Sequence, residues 1–286
     1  MLNNGPRVDV FVPGGGEPKA ALARTTHLCV SAHQDDIEIM AYHGIAECFG
    51  REDRWFTGVV VTNGAGSPRS GIYGAYTDEQ MQRIRVEEQR KAAQVGGYSC
   101  QLQLGYTSAE VKDAARDAVI GDLEAIFRVA QPRVVYLHNL ADKHATHVAA
   151  SLAAIAALRR LPPEIRPRKV YGCEVWRNLD WLPDEDKQCL PVSAYPNVAA
   201  AVLGVFDSQI GGGKRYDLAT AGRRLANATY FASHATDAET ALAFAMDLTP
   251  LVEDPKLDVP RYVTGFVDKL KTEIHRSLTA AARNLC

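Results

Sequence analysis

Thr26-His-Leu-Cys-Val-Ser-Ala-His-Gln-Asp-Asp-Ile-Glu-Ile-Met-Ala-Tyr-His-Gly-Ile-Ala-Glu-Cys-Phe-Gly50 is the stretch on which the fold turns. Its first part is a short apolar run rich in β-formers and reads as a buried strand. Its last part sets Ile37, Met40, Ala41, Gly44, Ile45 and Cys48 at helical spacing, with Gly50 as the stop. His33-Gln34-Asp35-Asp36 therefore occupies the turn from the carboxyl end of a strand into a helix, the rim where ligands bind in open α/β sheets. A histidine and two carboxylates there suit a divalent metal, with one carboxylate left over as a base. The plainer reading is that Asp35 or Asp36 caps the helix, and that Glu38 faces the positive end of its dipole.

Downstream, the same alternation repeats. Trp55–Thr62, Tyr98–Leu104, Arg133–His138 and Lys169–Trp176 read as strands. Asp78–Val95, Asp113–Ala130 and Ala145–Arg160 read as helices, the first capped by Thr77 or Asp78 and the second stopped by Pro132. Strands alternating with helices imply an α/β fold, a Rossmann-like, mostly parallel sheet with helices on both faces. No Gly-x-Gly-x-x-Gly follows the first strand, so a dinucleotide site is excluded. The Gly/Ser/Pro-rich segment Asn63–Thr77 leaves a strand's carboxyl end and belongs on the same rim as His33. Arg85 and Glu88 interrupt the inward stripe of their helix, either as a surface ion pair or as charges reaching into a site.

Residues 1–24 read as an N-terminal arm, in which Val8–Val12 alternates as a short edge strand. Residues 25–286 read as a single domain, with a core at 25–177 and an extension at 178–286. In the extension Asn197–Gln209 and Tyr216–Phe231 read as helices, and residues 241–249 as either strand or helix. Arg261–Arg283 reads as a closing helix whose Tyr262, Phe266, Leu270, Ile274 and Leu278 pack on the body.

The chain has 286 residues, 47% hydrophobic and 23% charged, with a formal net charge of −2. That balance argues against a general nucleic-acid binder. The six cysteines, Cys286 among them, include no Cys-x-x-Cys pair and read as free thiols of a reducing compartment. Met1–Ala23 lacks the apolar segment of a signal peptide, and no window approaches the ~18 apolar residues of a membrane span. A cytoplasmic location is expected; oligomeric state is not legible.

A second stretch, Asp142-Lys-His-Ala-Thr-His147, follows a strand and opens a helix, on the same rim as His33. Through these two stretches together, the sequence resembles the PIG-L/LmbE-like zinc de-N-acetylases. Their hallmark, Ala-His-Pro-Asp-Asp followed by Glu, and a later His-x-x-His, are matched by Ala32-His33-Gln34-Asp35-Asp36-Ile37-Glu38 and by His144-Ala145-Thr146-His147. The Thr62-Asn63-Gly64-x-Gly66 loop and Arg85-x-x-Glu88 are similar to family features as well. The resemblance covers about residues 25–177. It implies His33, Asp36 and His147 as ligands of zinc, or of iron(II), which the ligand set also suits. It implies Asp35 as general base, and His144 as the group that stabilises the oxyanion or protonates the leaving amine. Asp142 reads either as the group that fixes the tautomer of His144 or as a solvated loop aspartate. Arg85 is expected to hold substrate. Two departures stand out: Gln34 replaces the usual Pro and is expected to loosen the turn, and Thr146 stands where many members have Asp.

The implied function is metal-dependent hydrolysis of an N-acetyl group from an amino sugar or N-acetylglucosamine conjugate, a small-molecule substrate. The alternatives are cleavage of a larger sugar amide, and a non-catalytic sugar- or metal-binding protein on the same fold. Tyr73, Tyr76 and Trp176 are available either as a stacking wall for a sugar ring or as ordinary packing.

Overall fold

The computed structural model describes residues 2–283; Cys286, expected as a free thiol, lies outside them. The strands are β1 (Asp9–Phe11), β2 (His27–Ser31), β3 (Phe56–Thr62), β4 (Cys100–Tyr106), β5 (Val134–His138), β6 (Lys169–Cys173), β7 (Lys187–Pro191) and β8 (Leu242–Asp247). The helices are α1 (Pro18–Ala23), α2 (Asp36–Met40), α3 (Tyr42–Cys48), α4 (Asp78–Val95), α5 (Ser108–Lys112) and α6 (Asp117–Ala130), then α7 (Ala145–Arg159), α8 (Pro196–Gly204), α9 (Asp207–Ile210), α10 (Tyr216–Tyr230), α11 (Thr249–Glu253) and α12 (Val259–Ala282).

One sheet joins all eight strands in the order β1-β4-β3-β2-β5-β6-β8-β7. The central pairs β4–β3, β3–β2, β2–β5 and β5–β6 are parallel; β1, β8 and β7 join antiparallel. The order reverses between β2 and β5, so the loops leaving those two strands open the crevice at the switch point. They are the loops that carry His33–Asp36 and Asp142–His147.

Successive side chains of a strand point to opposite faces, and each face carries its own core. Leu28, Val30, Val59 and Val61 pack against helices α6 and α7 through Leu123, Phe127, Ala150 and Leu158. Cys29, Val60 and Tyr136 pack with Ile45 of α3 and Ala93 of α4 on the other face. Gly44 allows the close approach of α3: a Cβ there would lie 2.6 Å from the Tyr136 ring.

The differences from the sequence reading lie where packing overrides local pattern. The helix expected after Asp36 breaks at Ala41 into α2 and α3, and the one expected over 197–209 breaks at Phe206, whose ring is buried. Residues 241–249 resolve into β8 followed by the start of α11. The short elements α1, α5, β7 and α11 carry no sequence pattern that announces them. The closing helix packs over only its first half: Phe266 is buried, while Ile274 and Leu278 are 50% and 65% exposed. Among the described residues no helix is long and apolar enough to cross a membrane. The five described cysteines are free, four of them buried.

Candidate active site

The turn after β2 is held from several sides. Ala32 donates its N–H to His138 Nε2 (2.9 Å), and the backbone N–H of His33 donates to Asp36 Oδ2 (2.8 Å). Asp35 sits at φ +83°, a conformation that non-glycine residues adopt rarely and at a cost. Gln34 does not loosen this turn, contrary to expectation. It is fully buried, and its Nε2 donates to Gln103 Oε1 (3.0 Å) and to the Thr62 carbonyl (3.4 Å), tying the turn to β3 and β4. The loop beside it must yield room: Gly64 has φ +72°, and a Cβ there would collide with Gln34 Oε1.

Three ligand-type atoms converge at the mouth of this turn. His33 Nδ1 lies 3.2 Å from Asp36 Oδ2 and 3.2 Å from His147 Nε2, and His147 Nε2 lies 3.4 Å from Asp36 Oδ2. Bonds of about 2.0–2.1 Å at tetrahedral angles separate ligand atoms by roughly 3.4 Å, so this triangle has the size that one such ion needs. His33, His144 and His147 also form a close group, as do Asp36, His138 and His147. His138, which the sequence reading passed over although it ends β5 on the same rim, has its Nε2 lone pair occupied by the Ala32 N–H and is less available.

Electrostatics divides the two carboxylates. Burial drives both upward, but His147, His138 and His33 around Asp36 outweigh it and hold that carboxyl well below the usual range. Burial prevails at Asp35, which is raised well above its usual value against the opposing pull of Arg85. Burial, and then the neighbouring His147 and His33, push His144 down to about 4.

Asp142 differs from expectation. Its Oδ2 faces His147 Nδ1 at 3.4 Å and accepts from the Trp176 N–H at 3.2 Å, while Oδ1 accepts the backbone N–H of His144. The carboxylate therefore orients the ring of His147, turning Nε2 toward His33 and Asp36. The His144 ring has no such support: its Nδ1 is buried without a hydrogen-bond partner.

Residues 28–158 match the family model described as PIG-L: GlcNAc-PI de-N-acetylase. The chain carries a PIG-L domain. No curated protein matches the chain. Among solved structures, a conserved protein from Thermus thermophilus is 21% identical, with 82% of this chain and 98% of that one covered at a TM-score of 0.59. The 4-carboxy-2-hydroxymuconate hydratase GalB from Pseudomonas putida is 20% identical, with 78% and 95% covered and a TM-score of 0.61. The N,N'-diacetylchitobiose deacetylase from Pyrococcus horikoshii is 15% identical, with 80% and 86% covered and a TM-score of 0.62. These likenesses establish the fold.

Within the PIG-L domain, Arg85 and Glu88 do not form the surface pair that their spacing allows; both are buried. Arg85 Nη2 donates to Asp35 Oδ2 (3.2 Å) and to the Gln34 carbonyl, and Nη1 donates to Ser67 Oγ. Glu88 accepts the N–H and hydroxyl of Ser208, both at 2.6 Å. Above the histidines and carboxylates opens a cavity of about 250 Å³. Its walls include Ser67, Ser108, Lys112 and Thr146 from the PIG-L domain, and Gln209 and Tyr216 from beyond it. Tyr73, Tyr76 and Trp176 are not in this wall. Tyr73 donates to Asp207 and meets Tyr76 edge to face, and Trp176 stacks edge-on behind Tyr216. Nothing in the extension's sequence marked Gln209 or Tyr216.

Proposed function

We propose that the chain is a metal-dependent hydrolase that removes an acyl group, acetyl first of all, from the nitrogen of an amino sugar or its conjugate. The observation that carries this reading is the triangle of His33, Asp36 and His147 with a second, separate carboxylate, Asp35, buried beside it. A protein that only bound a metal or a sugar would have no use for Asp35 in a strained backbone conformation. In this reading His33, Asp36 and His147 hold zinc or iron(II), and Asp142 fixes the ring of His147. The ion, when bound, supplies Lewis acidity and a lowered water pKa.

The protein's own groups do the rest. Asp35 accepts the proton of the attacking water, and its raised proton affinity suits that task. Arg85 opposes part of that rise and aims the carboxylate. His144, uncharged near neutral pH, donates an N–H to the oxygen on which charge develops. Residues 25–286 act as one unit, because the cavity draws walls from both the core and the extension.

The family match and the deacetylases among proteins of this fold support acyl transfer to water. A hydratase also shares the fold, and adding water to a conjugated double bond is the second reading. Purified protein, stripped with a strong chelator and restored with zinc or iron(II), is to be assayed against N-acetylated amino sugars for free amine and acetate. Metal-dependent release of both is expected. Full activity after chelation, or no release from any acetamido sugar, sinks the deacetylase reading.

A further inference from the structure

Resting on the deacetylase reading, we infer that the substrate carries an anionic group, a carboxylate or a phosphate, which Lys112 and Ser108 receive at the mouth of the cavity. Both residues lie on α5, four positions apart, so they share one helix face, and both line the cavity above His33 and Asp36. The helix is fixed in place. Thr107 and Glu110 cap it reciprocally, Val111 is fully buried beneath it, and Arg7 pairs with Glu110 at 3.0 Å.

The charge balance of the wall follows from that anchoring. Among the described residues, the only carboxylates lining the cavity are Asp35 and Asp36 at its floor, engaged by Arg85 and by the histidines. The acids nearest Lys112 in the chain face elsewhere: Glu110 serves Thr107 and Arg7, and Asp113 accepts the Ala115 N–H at 2.8 Å. Among the described residues no carboxylate comes within ion-pair distance of Lys112. The hydroxyls of Ser67 and Ser108 are further donors in the same wall. A neutral sugar would leave this cation unused. Lys112 is exposed at the cavity mouth, where an anion beside the acyl amine would meet it and the cavity walls would focus its field.

The test compares N-acetylglucosamine, N-acetylglucosamine 1-phosphate and N-acetylmuramic acid, whose lactyl group brings a carboxylate, on the zinc-loaded enzyme. At least one anionic substrate is expected to exceed the neutral sugar tenfold or more in kcat/KM, through KM, and whichever leads identifies the anion. Lys112→Met is expected to erase that ratio, Lys112→Arg to keep it, and Lys112→Glu to reverse it. Titration calorimetry of the same ligands gives a readout independent of turnover: tighter binding of the anionic ligand, lost in Lys112→Met. Equal handling of the charged and neutral ligands by the wild type, or a ratio unmoved by Lys112→Met, overturns the inference. If no acetamido sugar is turned over while Lys112-dependent anion binding persists, the deacetylase reading fails and the anion subsite stands.

Discussion

At the scale of single residues, Asp35 and Asp36 are adjacent in the chain and opposite in character. Asp36 is surrounded by imidazoles that favour its charge, whereas Asp35 is buried beside one arginine and pushed upward. A substitution at Asp35 should therefore separate binding from chemistry. Asp35→Asn is expected to retain zinc, as measured by elemental analysis, and to lower kcat by about 10²–10⁴-fold, the usual weight of a general base. Turnover within a few-fold of wild type would remove Asp35 from that role. The neighbouring support is expected to act on affinity instead. Asp142→Ala leaves His147 Nδ1 unpartnered and should weaken zinc binding by about 10–100-fold in a chelator competition. An unchanged zinc affinity would show that the ring is held by packing alone.

At the scale of elements, β2 and the strand beside it in the sheet, β5, were legible because short apolar runs, Leu28-Cys29-Val30 and Val134-Val135-Tyr136-Leu137, end abruptly in polar turns. The motif residues His33, Asp36 and His147 were legible because they sit on those turns. What stayed hidden was set by tertiary packing. The pattern in residues 187–191 is too polar, and too close to a proline, to announce an edge strand. The break at Phe206 follows from where that ring is buried. The partner of Asp142 depends on the rotation of α7, which sequence spacing does not specify. One consequence of element packing is a pH dependence. His27 begins β2 beneath α3, and burial, reinforced by nearby His43, lowers it to about 4. The unfolded chain takes up this proton from about pH 6.5 and the folded one only near 4, so the folded state loses stability as pH falls through that window. Wild type is expected to lose about 2 kcal/mol at pH 5 through this group. His27→Gln, compared by urea denaturation at pH 7.5 and pH 5, should show a correspondingly smaller loss; equal losses would refute the assignment.

At the scale of the whole molecule, the extension is built into the site that the PIG-L domain opens. Its strand β8 pairs antiparallel with β6, and its helix α9 presents Ser208 to Glu88 of α4. Helix α10 reaches furthest in. Its Asn227 donates to the buried carboxylate of Glu174 at 2.9 Å, and its Arg224, itself buried, donates to the carbonyls of Glu38 (2.8 Å) and Ile39 (3.1 Å) in α2. Carbonyls in the last turn of a helix lack partners within it, and α2 is the short helix whose first residue is Asp36. The guanidinium thus braces a weak point: a five-residue helix too short to hold its own geometry, set directly behind a ligand-type carboxylate. Arg224→Met keeps most of the side-chain volume but leaves both carbonyls buried and unpaired, at a cost of roughly 1–3 kcal/mol. Because that cost falls on α2, which begins at Asp36, it should also be felt at the metal site. The variant is expected to melt below wild type in the metal-free form, and to show weaker zinc affinity than wild type together with a smaller thermal shift at the same zinc concentration. A variant equally destabilised with and without zinc, and unchanged in affinity, would mean that Arg224 serves the fold of the extension and has no hold on the site.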